Sequence, residues 1–158
     1  MTLAPAPPAP AAIRALVERL QAAGQRRLGR SLALFHVPTG GCNGCEGELR
    51  LLDDVTYTLA TLGLRFVRSP LAADVLLATG PLCRSMAEPL RRAWEAMGTP
   101  RWCVAVGDCA VDGGVFRGSY AVADGIGAGL PVDLLVRGCP PTPEQVLAAL
   151  ALLLEANA

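Results

Sequence analysis

The amino-acid sequence predicts one α/β domain built on a mainly parallel sheet. Segments with strand character alternate along the chain with helical segments, and most of the strands are continuous apolar runs. Strands that helices cover on both faces have such runs, whereas half-exposed strands alternate apolar with polar residues. The length of 158 residues also fits a single domain.

The amino-terminal part predicts a tail followed by a short helix. Residues 1–11 are rich in Pro and Ala, which predicts disorder, so we expect the folded domain to cover residues 12–158. Four apolar residues then repeat at i, i+3, i+4 and i+7, which is typical of an amphipathic helix. They are Ile13, Leu16, Val17 and Leu20. Gly24 is the predicted end of this helix.

The rest of the chain predicts five strands, three helices and a long loop. The predicted strands are 32–37, 64–68, 74–78, 102–106 and 132–136. Helices are predicted at 46–62, at 86–97 and after Thr142, which caps a helix with Pro143 at its first position. Residues 107–118 form a Gly-rich loop. The order of elements resembles a flavodoxin-like three-layer sandwich.

Composition excludes some function classes. Fourteen basic and fourteen acidic residues give no net charge, which argues against nucleic acid as a partner. Charged residues make up only 18% of the chain, so we expect a protein partner to cover part of the surface. The longest apolar run, 146–154, is too short to span a bilayer, and no export signal is evident. Six cysteines in such a chain predict a reducing compartment, where thiols bind metals or stay free.

Four cysteines share one sequence context: each lies in a Gly- or Pro-rich loop directly after a predicted strand. They are Cys42, Cys45, Cys109 and Cys139. The carboxyl ends of parallel strands meet at one edge of a sheet, so these loops can converge although they are far apart in sequence. Four converging thiolates suit a [4Fe–4S] cluster, which takes one cysteine per iron.

Other interpretations of the cysteines remain open at this point. A four-cysteine zinc site uses the same ligands but usually draws them from two close pairs, and only one close pair is present here. A redox-active Cys-x-x-Cys pair would leave Cys109 and Cys139 without a role. Cys103, inside an apolar strand, is predicted to be a core residue. Cys83 also follows a strand, but we predict that it is not a ligand because four other cysteines suffice.

Four segments together resemble one protein family. They are GGCNGCEGEL (40–49), DVLLATGPLCRSM (74–86), GDCAVDGGVF (107–116) and VDLLVRGCPPTPEQVLAALALLLE (132–155). The chain resembles, over roughly residues 32–154, the 20 kDa or B subunit of respiratory complex I, whose family includes the small subunits of [NiFe] hydrogenases. Complex I B subunits have two adjacent cysteines at the first site. The Cys-Asn-Gly-Cys of this chain is more similar to the membrane-bound energy-converting hydrogenases and formate hydrogenlyase.

The resemblance implies an electron-transfer subunit with one [4Fe–4S] cluster on Cys42, Cys45, Cys109 and Cys139. The expected partners are a large catalytic subunit, either [NiFe] hydrogenase-like or similar to the 49 kDa subunit of complex I, and further iron–sulfur and membrane subunits. The expected location is cytoplasmic, at the inner face of the cell membrane. One alternative is a complex I-type B subunit that passes electrons to quinone. Another is a zinc-stabilised interaction module without electron transfer.

One acidic residue and one cysteine extend this comparison. Glu48 stands where hydrogenase-like members have an acid three residues after the second cysteine, and it is a candidate proton carrier near the partner interface. The alternative is an ordinary first-turn glutamate that the helix dipole favours. Cys83 departs from the family pattern, in which threonine is usual at that position.

Overall fold

The computed structural model describes residues 10–53 and 63–157, and a five-stranded parallel sheet lies at their centre. The strands are β1 (Leu32–Pro38), β2 (Leu64–Phe66), β3 (Val75–Thr79), β4 (Trp102–Val106) and β5 (Leu134–Val136). Their order is β2-β1-β3-β4-β5, and every neighbouring pair is parallel. This is the flavodoxin-like order, so the predicted fold class is confirmed.

Helices cover both faces of the sheet and complete a three-layer sandwich. The helices are α1 (Pro10–Leu28), α2 (Gly44–Leu52), α3 (Arg84–Ala96), α4 (Asp108–Asp112) and α5 (Pro143–Ala156). One apolar cluster joins α1, α2 and α5 to one face, and a second joins α3 and α4 to the other. The central strands β3 and β4 are buried at every position, which is why their sequences are continuous apolar runs.

The first helix is longer than predicted at both ends. It begins at Pro10, so residues 10 and 11 belong to a helix and not to the predicted tail, of which residues 1–9 lie outside the described part. The prediction that Gly24 ends the helix is wrong. A glycine inside a helix costs about 1 kcal/mol, and the burial of Leu20 and Ala23 beside it offsets this cost. The helix ends instead before Gly29, whose φ of +65° is typical of a helix terminus.

Other boundaries follow the predictions more closely. Thr142 forms a capping box with Gln145 at the start of α5, and Pro143 follows it, as predicted. Helix α2 is described as far as Leu52, so the predicted continuation over 54–62 lies outside the described residues. The predicted loop 107–118 was wrong in part, because it contains α4, which ends where Gly113 takes a φ of +89°. None of the helices in the described ranges is both long and apolar enough to cross a bilayer.

Candidate metal centre

All four predicted ligand cysteines line one small pocket at the carboxyl edge of the sheet. The pocket has a volume of about 90 Å³. Its other lining residues are mainly glycines from the strand-end loops, with three further side chains: Glu46, Asp108 and Pro140. The convergence expected from the parallel sheet is therefore present in the fold.

Short connections after three strands position the cysteines. Cys42 lies in the loop between β1 and α2, and Cys45 lies in the first turn of α2. Cys109 lies in α4, directly after β4. Cys139 follows β5 by three residues.

Hydrogen bonds join the loops after β4 and β5. The Asp108 amide donates to the Gly138 carbonyl at 2.9 Å, and the Gly138 amide donates to Oδ1 of Asp108 at 3.1 Å. Arg137 adds an ion pair to Asp112 at 2.8 Å, and this guanidinium holds the pKa of that carboxyl below its usual range. The loops that present Cys109 and Cys139 therefore form one connected unit.

Two glycines leave room for the cysteine sulfurs. A Cβ atom on Gly107 would lie 2.5 Å from Sγ of Cys45, and a Cβ on Gly114 would lie 2.8 Å from Sγ of Cys109. Both glycines have positive φ, at +94° and +50°, which other residues rarely adopt. The absence of side chains here opens the space that a metal centre and its thiolates need. The residues present fit such a group.

The electrostatic surroundings keep two of the thiols protonated when no metal is bound. Burial, followed by the negative charge of Glu46, raises the pKa of Cys45 to about 11. Burial also raises the pKa of the Cys109 thiol. Because a metal binds the thiolate, loading has to displace these protons.

The four cysteines line one pocket, in which the described side chains form no compact set of ligands. Within the described ranges, no three His, Cys, Asp or Glu side chains lie close enough together to hold a single metal ion. A tetrahedral zinc site would bring four sulfurs to about 2.3 Å from one ion. A [4Fe–4S] cluster gives each sulfur its own iron and so suits thiols spread around a pocket.

The two remaining cysteines lie outside the pocket lining. Cys103 is fully buried in β4, and burial raises its pKa to about 12, so the prediction of a core residue is confirmed. Cys83 precedes α3, and its Sγ lies 3.9 Å from the Gly40 carbonyl. The pocket that the four other cysteines line does not include Cys83. Ligation by those four stays a prediction.

Sequence reasoning chose Glu48 and missed a more buried acid. Glu48 is partly buried and does not line the pocket of the four cysteines, which is called the metal pocket below. Glu46 is 7% exposed, lines the metal pocket and accepts a hydrogen bond from Thr79. A signal was available: Glu46 precedes the buried Leu49 by three residues, which places the two side chains on the same face of α2.

A larger pocket of about 380 Å³ adjoins the metal pocket, and Gly41 and Glu46 line both. His36, Phe66 and several residues of α2 form much of its wall. Burial lowers the pKa of His36, which favours the neutral imidazole. The metal pocket therefore has a roomy neighbour with acidic, imidazole and aromatic walls.

The fold and the cysteine pocket define the class: an α/β protein with four cysteines in a loop cluster at the carboxyl edge of its parallel sheet. The family described as NADH ubiquinone oxidoreductase, 20 Kd subunit, matches residues 42–153. This chain belongs to that family, and the resemblance drawn from its motifs is confirmed.

Relatives come from both branches of the family. Formate hydrogenlyase subunit 7 of Escherichia coli K12 is 35% identical over 93% of this chain and 58% of its own length. The B subunit of the NADH-quinone oxidoreductase of Akkermansia muciniphila is 41% identical over 77% of this chain and 62% of its own length. This chain thus spans less than two thirds of either relative.

A solved structure shares the fold. It is described as the membrane-bound sulfane sulfur reductase, an archaeal respiratory membrane complex. One of its chains matches with a TM-score of 0.71 and 27% identity, over 85% of this chain and 73% of that chain. A chain with this fold is thus part of a membrane-bound respiratory complex.

Proposed function

We propose that this chain is an electron-transfer subunit of a membrane-associated complex of the hydrogenase or formate hydrogenlyase type. It holds one [4Fe–4S] cluster on Cys42, Cys45, Cys109 and Cys139, next to the active site of a partner subunit. The observation that carries this proposal is that these four cysteines, from the ends of three strands, line one pocket. When bound, such a cluster takes up and releases single electrons.

The chain's own groups suit an anionic centre. Glycines in the loops after β1, β3 and β5 line the pocket and let backbone N–H groups come close to such a centre. Contacts of this kind stabilise cluster sulfurs and tune their potential. Cys45 lies in the first turn of α2, where the helix dipole is positive. Both features would stabilise the negative charge of a cluster with its thiolates once it is bound at the carboxyl edge of the sheet.

A large catalytic subunit supplies the substrate chemistry. Beyond Cys109, the loop that ends near Tyr120 exposes two large apolar side chains, with Val115 83% and Tyr120 92% accessible. Apolar groups at this exposure, on a chain with few charges, fit a surface that a protein partner covers. Further iron–sulfur and membrane subunits then hold the complex at the cytoplasmic face of the membrane.

The motif Cys-Asn-Gly-Cys favours the hydrogenase type over the quinone-reducing type. The second candidate is nevertheless a B subunit of a complex I-like enzyme that passes electrons to quinone. The relative from Akkermansia muciniphila and the pocket of about 380 Å³ beside the metal pocket favour it. The sequence of the large partner subunit distinguishes the two candidates, because paired Cys-x-x-Cys nickel ligands belong to the hydrogenase type only.

Anaerobic reconstitution of the full chain tests the cluster. We expect a brown protein with about four irons and four sulfides per chain and an EPR signal on reduction, as one thiolate-bound cluster requires. Cys109→Ser should lose or convert the cluster, while Cys103→Ser, a matched change outside the pocket, should keep it. One zinc per chain, with no iron taken up, would overturn the proposal.

A further inference from the structure

A hydrogen-bond chain of three polar side chains lies beside the metal pocket; two of them are buried, and the third, His36, is half-buried. Oγ1 of Thr79 donates to Oε1 of Glu46 at 2.7 Å, and Nε2 of His36 lies 2.9 Å from the same Thr79 hydroxyl. His36 belongs to β1, Thr79 ends β3, and Glu46 lies in the first turn of α2. The chain thus ties together three elements that meet at the carboxyl edge of the sheet.

In this hydrogen-bond chain, the donors of His36 and Thr79 both point in the direction of the Glu46 carboxylate. A threonine hydroxyl has one proton, and that proton is given to Glu46. The hydroxyl can therefore only accept from His36, so His36 carries a proton on Nε2. Burial lowers the pKa of His36, so the ring is neutral and this tautomer is fixed by the hydrogen bond.

The Glu46 carboxylate, at the end of the hydrogen-bond chain, lines the metal pocket and has no cationic partner in the part of the protein that the structure describes. Thr79 is fully buried, and Glu46 is 7% exposed. Among the described residues no Arg, His or chain terminus forms an ion pair with Glu46. Glu46 follows Cys45 directly and lines the pocket, and its charge acts on the Cys45 thiol.

We propose that His36 and Thr79 are positioning residues, which hold the Glu46 carboxylate against the cluster site and thereby lower the midpoint potential of the bound cluster. This rests on the proposed function. Reduction adds one negative charge to the centre, and a fixed carboxylate nearby opposes it more strongly in a protein interior than in water. Hydrogen bonds beyond the ligands tune metal centres in this way.

Variants of the full chain, reconstituted anaerobically, test the proposal by redox titration followed by EPR at one fixed, mildly alkaline pH. Glu46→Gln keeps an oxygen that accepts from Thr79 and removes only the charge. At a given applied potential, we expect the ratio of reduced to oxidised cluster to be at least ten times higher than in the unsubstituted protein. For a one-electron couple, this corresponds to a midpoint potential that is higher by about 59 mV. Thr79→Val should shift the potential in the same direction by less, and Thr79→Ser, which keeps the hydroxyl, should restore the original value.

Glu48→Gln is the matched control, because it removes one carboxylate from the same helix turn but not from the pocket lining. Its shift should be clearly smaller than that of Glu46→Gln. Equal midpoint potentials for these two variants, at equal iron content, would show that the hydrogen-bond chain is only structural and would overturn the inference. If Thr79→Val does not fold, Thr79→Ala takes its place, because it also removes the hydroxyl that donates to Glu46. An unchanged potential in the folded variant without this hydroxyl would overturn the positioning role. If the unsubstituted protein takes up no iron, the proposed function itself is refuted, and this inference with it.

Discussion

The amino and carboxyl edges of the sheet each have a buried carboxylate, but the two carboxylates differ in their partners. At the amino edge, Asp74 is 3% exposed, and Arg30 contacts both of its carboxylate oxygens at 2.6 and 2.8 Å. The Ala33 amide donates to the same carboxylate at 2.9 Å. At the carboxyl edge, Glu46 is almost as buried but faces thiols and has no cationic partner among the described residues.

This difference separates stability from function. A buried carboxylate with a bidentate arginine and a backbone donor satisfies its hydrogen-bonding capacity and fixes the strands around it. A buried carboxylate beside raised-pKa thiols costs stability, and proteins keep such arrangements where a ligand or a reaction needs them. Changes at the amino edge should therefore alter folding, and changes at the carboxyl edge should alter metal content.

The largest effect should come from filling the space beside Cys45. Gly107→Ala places a Cβ at 2.5 Å from the Cys45 sulfur, so the sulfur has to turn away from the pocket. We expect loss of most of the iron, together with about 1–3 kcal/mol of strain from the positive φ. Iron analysis and urea unfolding measure the two effects.

Gly118→Ala is the control for Gly107→Ala. Gly118 has a similar φ of +82°, but no atom lies within 4 Å of the position that a Cβ would take there. This variant should lose a similar amount of stability through backbone strain, but it should keep its iron. Equal iron loss in both variants would mean that backbone strain, and not the collision with the sulfur, disturbs the site.

The next largest effect concerns the amino edge. Asp74→Ala leaves Arg30 and the Ala33 amide without their partner, and the free energy of unfolding should fall by about 2–3 kcal/mol. The iron content of the folded fraction should not change, because the site is at the other edge. Arg30→Ala should cost less, since that side chain is 47% exposed. Iron loss without loss of stability would break the contrast between the edges.

Cys83→Thr should have a small effect. The Cys83 thiol packs near Gly40 but does not line the metal pocket, so the variant should retain the full iron content and shift the potential only slightly. Iron analysis and EPR measure this. A three-iron EPR signal from Cys83→Thr would make Cys83 a ligand and remove one of the four proposed cysteines.

The smallest effect should be a gain in the stability of the fold. Gly47 lies inside α2, and a Cβ there would meet no atom within 4 Å. Gly47→Ala should therefore stabilise the chain by about 0.5–1 kcal/mol through helix propensity, with unchanged iron. Urea unfolding of the metal-free chain measures this. A loss of iron in this variant would show that the first turns of α2 have to bend when the metal binds.

The sequence predicted the features that depend on local pattern. Apolar runs identified β3 and β4, and loops directly after strands identified the four cysteines, because parallel topology converts sequence position into a place at the carboxyl edge. The end of α1 was missed because packing against α5 outweighs the propensity of Gly24.

The hydrogen-bond chain could not be predicted in the same way. His36, Thr79 and Glu46 belong to three elements, and only the tertiary arrangement brings their polar atoms within 3 Å. Helical spacing places Glu46 on the inner face of α2, but it does not identify the threonine that meets it. Partners across a fold depend on register and on side-chain rotamers, which local patterns do not determine.

The separation of the four cysteines along the chain has a consequence for biosynthesis. Cys42 opens the segment that matches the family and Cys139 lies near its end, behind the edge strand β5. A ribosome therefore has to synthesise nearly the whole segment before the last thiol is available. If the four cysteines hold a cluster as proposed, its insertion would follow the docking of β5 and would not guide the earlier strands. Metal acquisition by this subunit would thus report that folding is complete, which gives an assembling complex a way to reject unfinished chains.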